Sequence, residues 1–375
     1  MIYIIGAGPA GCYTAYFLAK AGNKVKVFEE HREIGKPVQC TGLVTNHISE
    51  ILRDDEFKKT IANEINSAKI VAPNGTSAEI KLNECVIDRK KFDRYLASKA
   101  AKAGSEIHTT HKFIGIKNNE LIFENNKVIK LIRLNKDDVL IGADGPNSCV
   151  AKSTGLFNKR KFLLGMQAIV ESNGFKKNIF EAHFGNICQG FFAWAVPESG
   201  KRIRIGLATK TTINARLHFE RFIKDQLKDS KFRIVEKQAG LIPIYYPRQK
   251  LQKTINNYKV YLVGDAAAQT KATTGGGIIQ GLLASRILAD SIINGKDYQK
   301  EFKKKLALDL WLHLKIRQTL NKFSDKDYNY LISLIKKEKV KKILQSHHRE
   351  MPSKFILKLV IAEPRFLCFF FRMLL

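Results

Sequence analysis

The sequence predicts an α/β protein in three parts: strand–turn–helix units, an antiparallel-sheet domain and a helical C-terminal region. Three observations carry this expectation. Ile2–Gly11 reads IYIIGAGPAG, a short apolar run ending in a glycine-rich turn, and a second apolar run follows at Val25–Phe28. Lys259–Asp290 repeats the arrangement of strand, acid, glycine-rich turn and helix. Between them, residues 162–208 carry the alternation of a sheet.

Gly6, Gly8 and Gly11 have the G-x-G-x-x-G spacing directly after a strand and at the head of a helix. The spacing serves a tight turn, close backbone approach to a pyrophosphate, and close packing of helix on strand. The phosphate then sits on the free N–H groups of the helix start. Cys12–Ala21 is helix-compatible, and Gly22-Asn23 ends it. Glu29 closes the next strand, at the distance where a carboxylate takes a ribose hydroxyl pair. These features together predict a dinucleotide site.

Residues 31–47 read as a loop broken by Gly35, Pro37 and Gly42, with Cys40 inside it. Residues 48–66 read as an amphipathic helix, and Ala68–Ile80 as a hairpin turning at Pro73-Asn74-Gly75. Val86–Gly104 reads as a helix capped by Asp88. Arg89 lies in its first turn, where the helix dipole does not favour a cation, so it is either a solvated arginine or one with a partner such as a phosphate or flavin edge. Residues 105–141 alternate short strands and turns, ending in the buried strand Val139–Ile141 and the sharp turn Gly142–Gly145.

Residues 190–209 read as two strands around Glu198–Gly200, with Phe191, Phe192 and Trp194 expected on both faces of the first. They serve either a sheet core or an apolar pocket wall. Residues 212–230 read as a basic amphipathic helix, and 239–246 as a short apolar segment. Asp265 then ends the strand Lys259–Val263, and Gly275, Gly276 and Gly277 open a helix running to about Asn294. A carboxylate there suits a sugar alcohol, and the helix start a polar ring edge or phosphate.

Composition narrows the class. Lys+Arg number 64 against 35 Asp+Glu, a formal charge of +29. Such a field favours anionic partners but does not choose among nucleic acid, acidic lipid surfaces and phosphorylated substrates. No helix-turn-helix spacing, zinc finger or RNA-recognition signature accompanies it, so a nucleic-acid partner is not expected. The six cysteines are scattered without a C-x-x-C pair, which argues against a zinc site or a disulfide framework, and no metal is expected. No leader precedes the first strand, so a cleaved signal peptide is not expected. Residues 296–375 carry 19 Lys+Arg against 8 Asp+Glu. Phe355–Leu375 combines apolar bulk with basic residues, a poor spanning helix but one suited to lying in a membrane interface.

The blocks together resemble the glutathione-reductase-type FAD fold, a Rossmann-like domain, in its aromatic-hydroxylase branch. IIGAGPAG with Glu29, GADG at 142–145 and GDAA at 264–267 match its three fingerprints in order. KPVQCTGLV (36–44) is similar to the P-x-x-C-x-G motif of the geranylgeranyl reductases, as are VIDRKKFDRYLA (86–97) and GDAAAQTKATTGGGI (264–278) to their counterparts. The likeness is greatest to archaeal enzymes that saturate digeranylgeranylglycerophospholipids.

The resemblance implies FAD, held by Gly6, Gly8, Ala10, Gly11 and Glu29, by Cys40, Thr41, Gly42 and Arg89, and by Asp265, Gly275, Gly276, Gly277 and Ile278. It implies a prenyl pocket lined by Phe192, Trp194 and Pro197, with Cys40 near the flavin. No acid is evident in the sequence, and Cys40 or a water near it is the candidate proton donor. The implied domains are 1–65, 85–155 and 255–295 for FAD, 66–84 and 156–254 for substrate, and 296–375 as a basic helical region. The expected setting is cytoplasmic, peripheral on the inner face of the cell membrane, with ferredoxin, a deazaflavin or NAD(P)H as electron donor. Where the family carries Y-x-W-x-F-P and V-G-x-G, this chain has Phe192, Trp194, Val196, Pro197, then Ile205, Gly206, Ala208. Ala268 and Ala272 also replace a glycine and a proline. Rival readings are an aromatic monooxygenase on the same fold, a reductase of another prenyl acceptor such as a quinone tail, and a nucleic-acid-binding protein resting on the +29 alone.

Overall fold

The computed structural model of the chain describes residues 1–172, 175–228 and 231–369. The first layer is a six-stranded sheet, in the order Gln252–Ile255, Tyr258–Leu262, Val139–Gly142, Ile2–Ile5, Val25–Phe28, Glu106–His108. All neighbours pair parallel except Gln252–Ile255, which is antiparallel at the edge. Ile2–Ile5 and Val139–Gly142 are buried at every residue, as expected of parallel strands covered on both faces. The helices Pro9–Lys20 and Ile278–Ile293 pack together, and Ser285 Oγ donates to the Ala10 carbonyl at 2.9 Å. The two glycine turns therefore meet at the same end of the sheet.

The second layer is an eight-stranded sheet, in the order Phe232–Pro243, Phe162–Ser172, Arg202–Lys210, Ala193–Pro197, Ile179–His183, Ile61–Val71, Ser77–Ile87, Leu43–Thr45. It is mixed rather than purely antiparallel, because Ile61–Val71 and Ile179–His183 pair parallel. These two strands come from distant parts of the chain, so no tight hairpin dictates their direction. The pleat divides the faces. Ala193 and Ala195 pack toward the helix Ala215–Leu227, while Trp194 and Val196 pack with Phe180 and Ala182 on the other face. Phe191, Phe192 and Trp194 all belong to this second face, contrary to the expected split. Regular pleating begins only at Ala193, so the two phenylalanines are free of alternation.

Other departures have local causes. Residues 48–66 are not one helix: two short turns, His47–Ile51 and Asp55–Lys58, lead into the strand Ile61–Val71. In that strand Asn63, Ile65 and Ser67 are buried alternately with exposed neighbours, a period of two hidden among helix-compatible residues. The turn at 73–75 joins strands longer than expected, and Val86 and Ile87 complete the second of them. The following helix is Arg89–Lys102, with Asp88 accepting from Lys90 N and Lys91 N at 2.9 and 3.2 Å. The 31–47 loop contains the short strand Leu43–Thr45. The helix expected over 212–230 is Ala215–Leu227, with 229–230 outside the described residues.

Lys112–Lys117, Glu120–Asn125 and Val128–Arg133 form a separate meander. The C-terminal region is helical: Tyr298–Phe302, Leu308–Leu320, Asp325–Ile335, Glu338–Gln345 and Ile356–Ala362. Phe355–Leu375 does not form one continuous helix: Pro364 interrupts it after Glu363, and 370–375 lie outside the described residues. Among the described residues no helix is long and apolar enough to cross a membrane.

Candidate active site

The first glycine turn is constrained by its own backbone. Gly6 has φ +100°, and a Cβ there would lie 2.4 Å from the Ala143 carbonyl oxygen. A Cβ on Gly11 would lie 2.0 Å from the Gly6 oxygen. Gly8 differs, since a Cβ there would meet nothing within 4 Å. Gly8 is the N-cap of Pro9–Lys20, with no side-chain cap and no acid in the first turn, so the helix start keeps its donors free. Glu29 reaches back to this turn: Oε2 accepts from Ala7 N–H at 2.8 Å, and Oε1 lies 2.6 Å from His31 Nδ1.

The second turn is built to match. Asp265 stands in the tight turn Gly264–Ala267, and its carboxylate makes no hydrogen bond among the described residues. Burial pushes its pKa up to about 6, against the pull of Arg89 and Arg160. A Cβ on Gly277 would lie 2.7 Å from Asp265 Oδ1. Gly277 caps Ile278–Ile293, again with no side-chain cap. Arg89 has found a protein partner: it forks onto Asp93 one turn on, with both bonds at 2.9 Å. That pairing answers the dipole mismatch within the helix itself.

A cavity of about 670 Å³ connects this turn to the second sheet. Cys40, Thr41 and Gly42 line it on one side and Gly275–Ile278 on another. Phe180, Phe192, Trp194 and Val196 give it an apolar wall. Pro197 is not part of that lining; its carbonyl accepts from Asn63 Nδ2 at 2.9 Å. The Cys40 loop is held from below by Arg204, which is 4% exposed. Its guanidinium donates to the Thr41 and Cys40 carbonyls at 2.5 and 3.3 Å and to Glu198 at 2.5 Å. Gly42 has φ +74°, and a Cβ there would lie 2.5 Å from the Ile87 oxygen and 2.9 Å from this guanidinium. Cys40 Sγ accepts from Gly42 N–H at 3.3 Å.

Several residues that shape the site were not singled out in the sequence. Arg160 donates to the Ala266 and Pro146 carbonyls at 2.5 and 3.4 Å, tying the 264–267 turn to the residue that follows the 142–145 turn. Lys271 and Glu350, both buried, pair at 2.5 Å in the cavity lining. Arg349 pairs with Glu84 beside them. His47, Glu50 and His348 bring three ligand-type atoms within 4.8 Å of one another at a half-exposed corner. Isolated acids and bases so far apart in sequence carry no spacing signal, so only the fold joins them.

The residues present fit FAD. Two uncapped helix starts, at Gly8 and Gly277, offer N–H groups to phosphate and to a polar ring edge. Open space above Gly8 admits a close approach, and the carboxylates of Glu29 and Asp265 suit vicinal hydroxyls.

Comparison with known proteins agrees. The FAD binding domain family model matches residues 1–289. The chain is 31% identical to a digeranylgeranylglycerophospholipid reductase of Methanocaldococcus jannaschii, over 88% of this chain and 89% of that protein. It is 29% identical to the enzyme of that name from Methanothrix thermoacetophila, over 91% and 93%. In fold it is similar to a geranylgeranyl bacteriochlorophyll reductase-like protein from Thermoplasma acidophilum, with TM-score 0.83 and 21% identity over 98% of both chains. A flavin-dependent brominase shares the fold at TM-score 0.67 and 14% identity, over 97% of this chain and 99% of that one. With this family match and the 31% identity across most of both chains, the chain belongs to the FAD-binding digeranylgeranylglycerophospholipid reductase family, with FAD as its cofactor.

Proposed function

We propose that this protein is an FAD-dependent reductase that saturates C=C bonds of geranylgeranyl chains in an archaeal-type ether phospholipid. The observation that carries this reading is the apolar cavity, which begins at the glycine loop Gly275–Gly277 and ends against Phe192 and Trp194. Its size falls within the few hundred to about 1,000 Å³ of pockets that take apolar small molecules. In this reading the fold is of the glutathione-reductase type. Residues 1–65, 85–155 and 255–295 form the FAD domain, 66–84 and 156–254 the substrate domain, and 296–375 the C-terminal region.

Bound reduced flavin supplies a hydride to one alkene carbon, and a proton goes to the other. Gly6, Gly8, Ala10 and Gly11 seat the pyrophosphate, Glu29 the ribose, and Asp265 the sugar-alcohol chain. Gly277, Ile278, Cys40, Thr41 and Gly42 would hold the ring, and Arg89, its charge balanced by Asp93, would border them. An isolated alkene offers no developing oxyanion to stabilise, so the protein acts by placement and exclusion of water. Phe192 and Trp194, with ring centroids 5.9 Å apart, fix one side of the chain, and Pro197 ends the strand that carries Trp194. Cys40 is assigned as the proton donor. Full turnover by Cys40→Ala with a geranylgeranylated lipid would remove it from that role.

The setting assigned is cytoplasmic, peripheral on an anionic inner membrane face. Leu357 and Ile361 are 66% and 71% exposed on the helix Ile356–Ala362. Residues 336–358 carry eight Lys or Arg against two Glu. Apolar anchors beside basic residues suit such a surface. An external donor (ferredoxin, a deazaflavin or NAD(P)H) supplies the electrons.

The test is anaerobic. The purified holoprotein, reduced with dithionite, is mixed with geranylgeranylated glycerophospholipid, and the lipid is read by mass spectrometry. Successive gains of hydrogen pairs are expected. An unchanged lipid beside a normal bound-flavin spectrum would overturn the assignment and favour another prenyl acceptor.

A further inference from the structure

The Lys271–Glu350 pair sits where charge matters most. Side-chain exposures are 5% and 1%, and Nζ lies 2.5 Å from Oε1. Glu350 is a hub: Oε1 also accepts from Thr45 Oγ1 at 3.1 Å, and Oε2 from Gln280 Nε2 at 3.2 Å. Lys271 lies against the glycine loop. A Cβ on Gly276 would meet its Cε at 2.8 Å and its Nζ at 3.2 Å. The loop backbone closes on the same residue, with Lys271 N donating to the Gly276 carbonyl at 3.2 Å and Gly275 N to the Lys271 carbonyl at 2.8 Å.

Glu84 and Arg349 form a second pair beside the first, so two cations face two carboxylates, and the buried Arg317 guanidinium next to them has no carboxylate partner among the described residues. His313 adds no charge, because burial pushes its pKa down to about 3 while Nδ1 engages Thr273 Oγ1 at 2.6 Å. Arg317 donates to the Ala272 and Thr273 carbonyls at 3.1 and 2.6 Å, so the loop cannot swing away from the cluster without breaking these bonds.

We infer that Glu350 is a positioning residue that cancels the Lys271 charge beneath the glycine loop and thereby sets the reduction potential of the flavin. The inference rests on the flavin-site reading of Gly275–Ile278. A mutually neutral pair exerts little net field, whereas one unbalanced charge in a water-poor cavity acts strongly on any nearby change of charge. Flavin gains negative charge on reduction to its anionic form. Freeing Lys271 therefore makes reduction easier and the bound hydride less reactive; freeing Glu350 does the reverse.

The experiment measures the midpoint potential of holoprotein against reference dyes, anaerobically, for wild type, Glu350→Gln, Lys271→Gln and the double variant. Glu350→Gln is expected to raise the reduced-to-oxidised ratio at fixed ambient potential at least about tenfold, ~30 mV for a two-electron couple. Lys271→Gln is expected to lower it, and the double variant to return near wild type. A general loosening of structure moves both single variants the same way. Shifts of equal sign, or none in variants that keep FAD, would overturn the inference. If Glu350→Gln does not accumulate as holoprotein, Glu84→Gln removes the other carboxylate of the cluster and must also raise the potential; an unmoved value there overturns it. Wild-type protein that takes up no FAD would overturn the flavin-site reading itself.

Discussion

Thr41 and Trp194 meet on one atom: the Thr41 hydroxyl donates to Gln167 Oε1 at 2.9 Å, and the Trp194 indole N–H to the same oxygen at 3.4 Å. Gln167 is 4% exposed and passes its own N–H to Gln238 at 2.5 Å. The Cys40 loop and the apolar wall are thus referenced to a single amide. Gln167→Leu keeps comparable bulk but strands the buried Trp194 and Gln238 groups, at roughly 1–3 kcal/mol for each group left unpaired, and frees the half-buried Thr41 hydroxyl. A lower melting temperature and a fall in kcat/KM for the lipid are expected, with FAD stoichiometry retained. Thermal melts and steady-state kinetics on one preparation check both.

Gly8 and Gly11 separate ligand approach from fold. Gly11→Ala puts a Cβ 2.0 Å from the Gly6 oxygen, so loss of folded protein is expected. Gly8→Ala meets nothing within 4 Å, so the apoprotein should melt as wild type does. Its FAD affinity should fall about tenfold or more, which is roughly 1.4 kcal/mol or more. Equal FAD dissociation constants for wild type and Gly8→Ala would count against the close-approach role.

Asp265 links stability to pH. Its ordinary value of 3.8 rises to about 6 in the fold. Between those values the folded apoprotein holds a proton that the unfolded chain has released. Apoprotein stability should therefore fall as pH rises from 3.8 through about 6, by at most about 3 kcal/mol, and level off above. Asp265→Asn should flatten that slope while weakening FAD binding. Urea titrations of both apoproteins across the window measure it.

The exposed pair Leu357 and Ile361 gives the membrane assignment a test that spares the core. Leu357→Glu/Ile361→Glu should leave FAD content and melting temperature unchanged while reducing cosedimentation with anionic vesicles. Unchanged cosedimentation at low and high salt would remove this helix from the docking surface.

Both glycine turns were legible in the sequence because their function is local: a strand end, a turn and a helix start lie within a few residues. The parallel sheet followed from them. The segment 61–66 was not legible, because IANEIN satisfies a helical stripe as well as the strand period that burial of Asn63 and Ile65 selects. Arg204, Gln167 and Glu350, and the partner of the motif residue Lys271, were beyond reach for another reason. Each acts through a partner distant in the chain, and a lone buried charge or amide announces no partner in one dimension. Arg89 shows the converse, since its partner Asp93 is one turn away and was readable in principle.

The bond between Thr45 and Glu350 joins residues 305 positions apart. At ~5–20 residues per second of synthesis, on the order of 15–60 s pass between their emergence. For the roughly 8–31 s between the emergence of Trp194 and that of Glu350, the apolar wall around Trp194 has no polar cover from the C-terminal segment. The growing chain therefore offers a greasy cleft to its surroundings before it can close it, and its exposure to chaperones and to premature aggregation is set by the timing of the segment around Glu350.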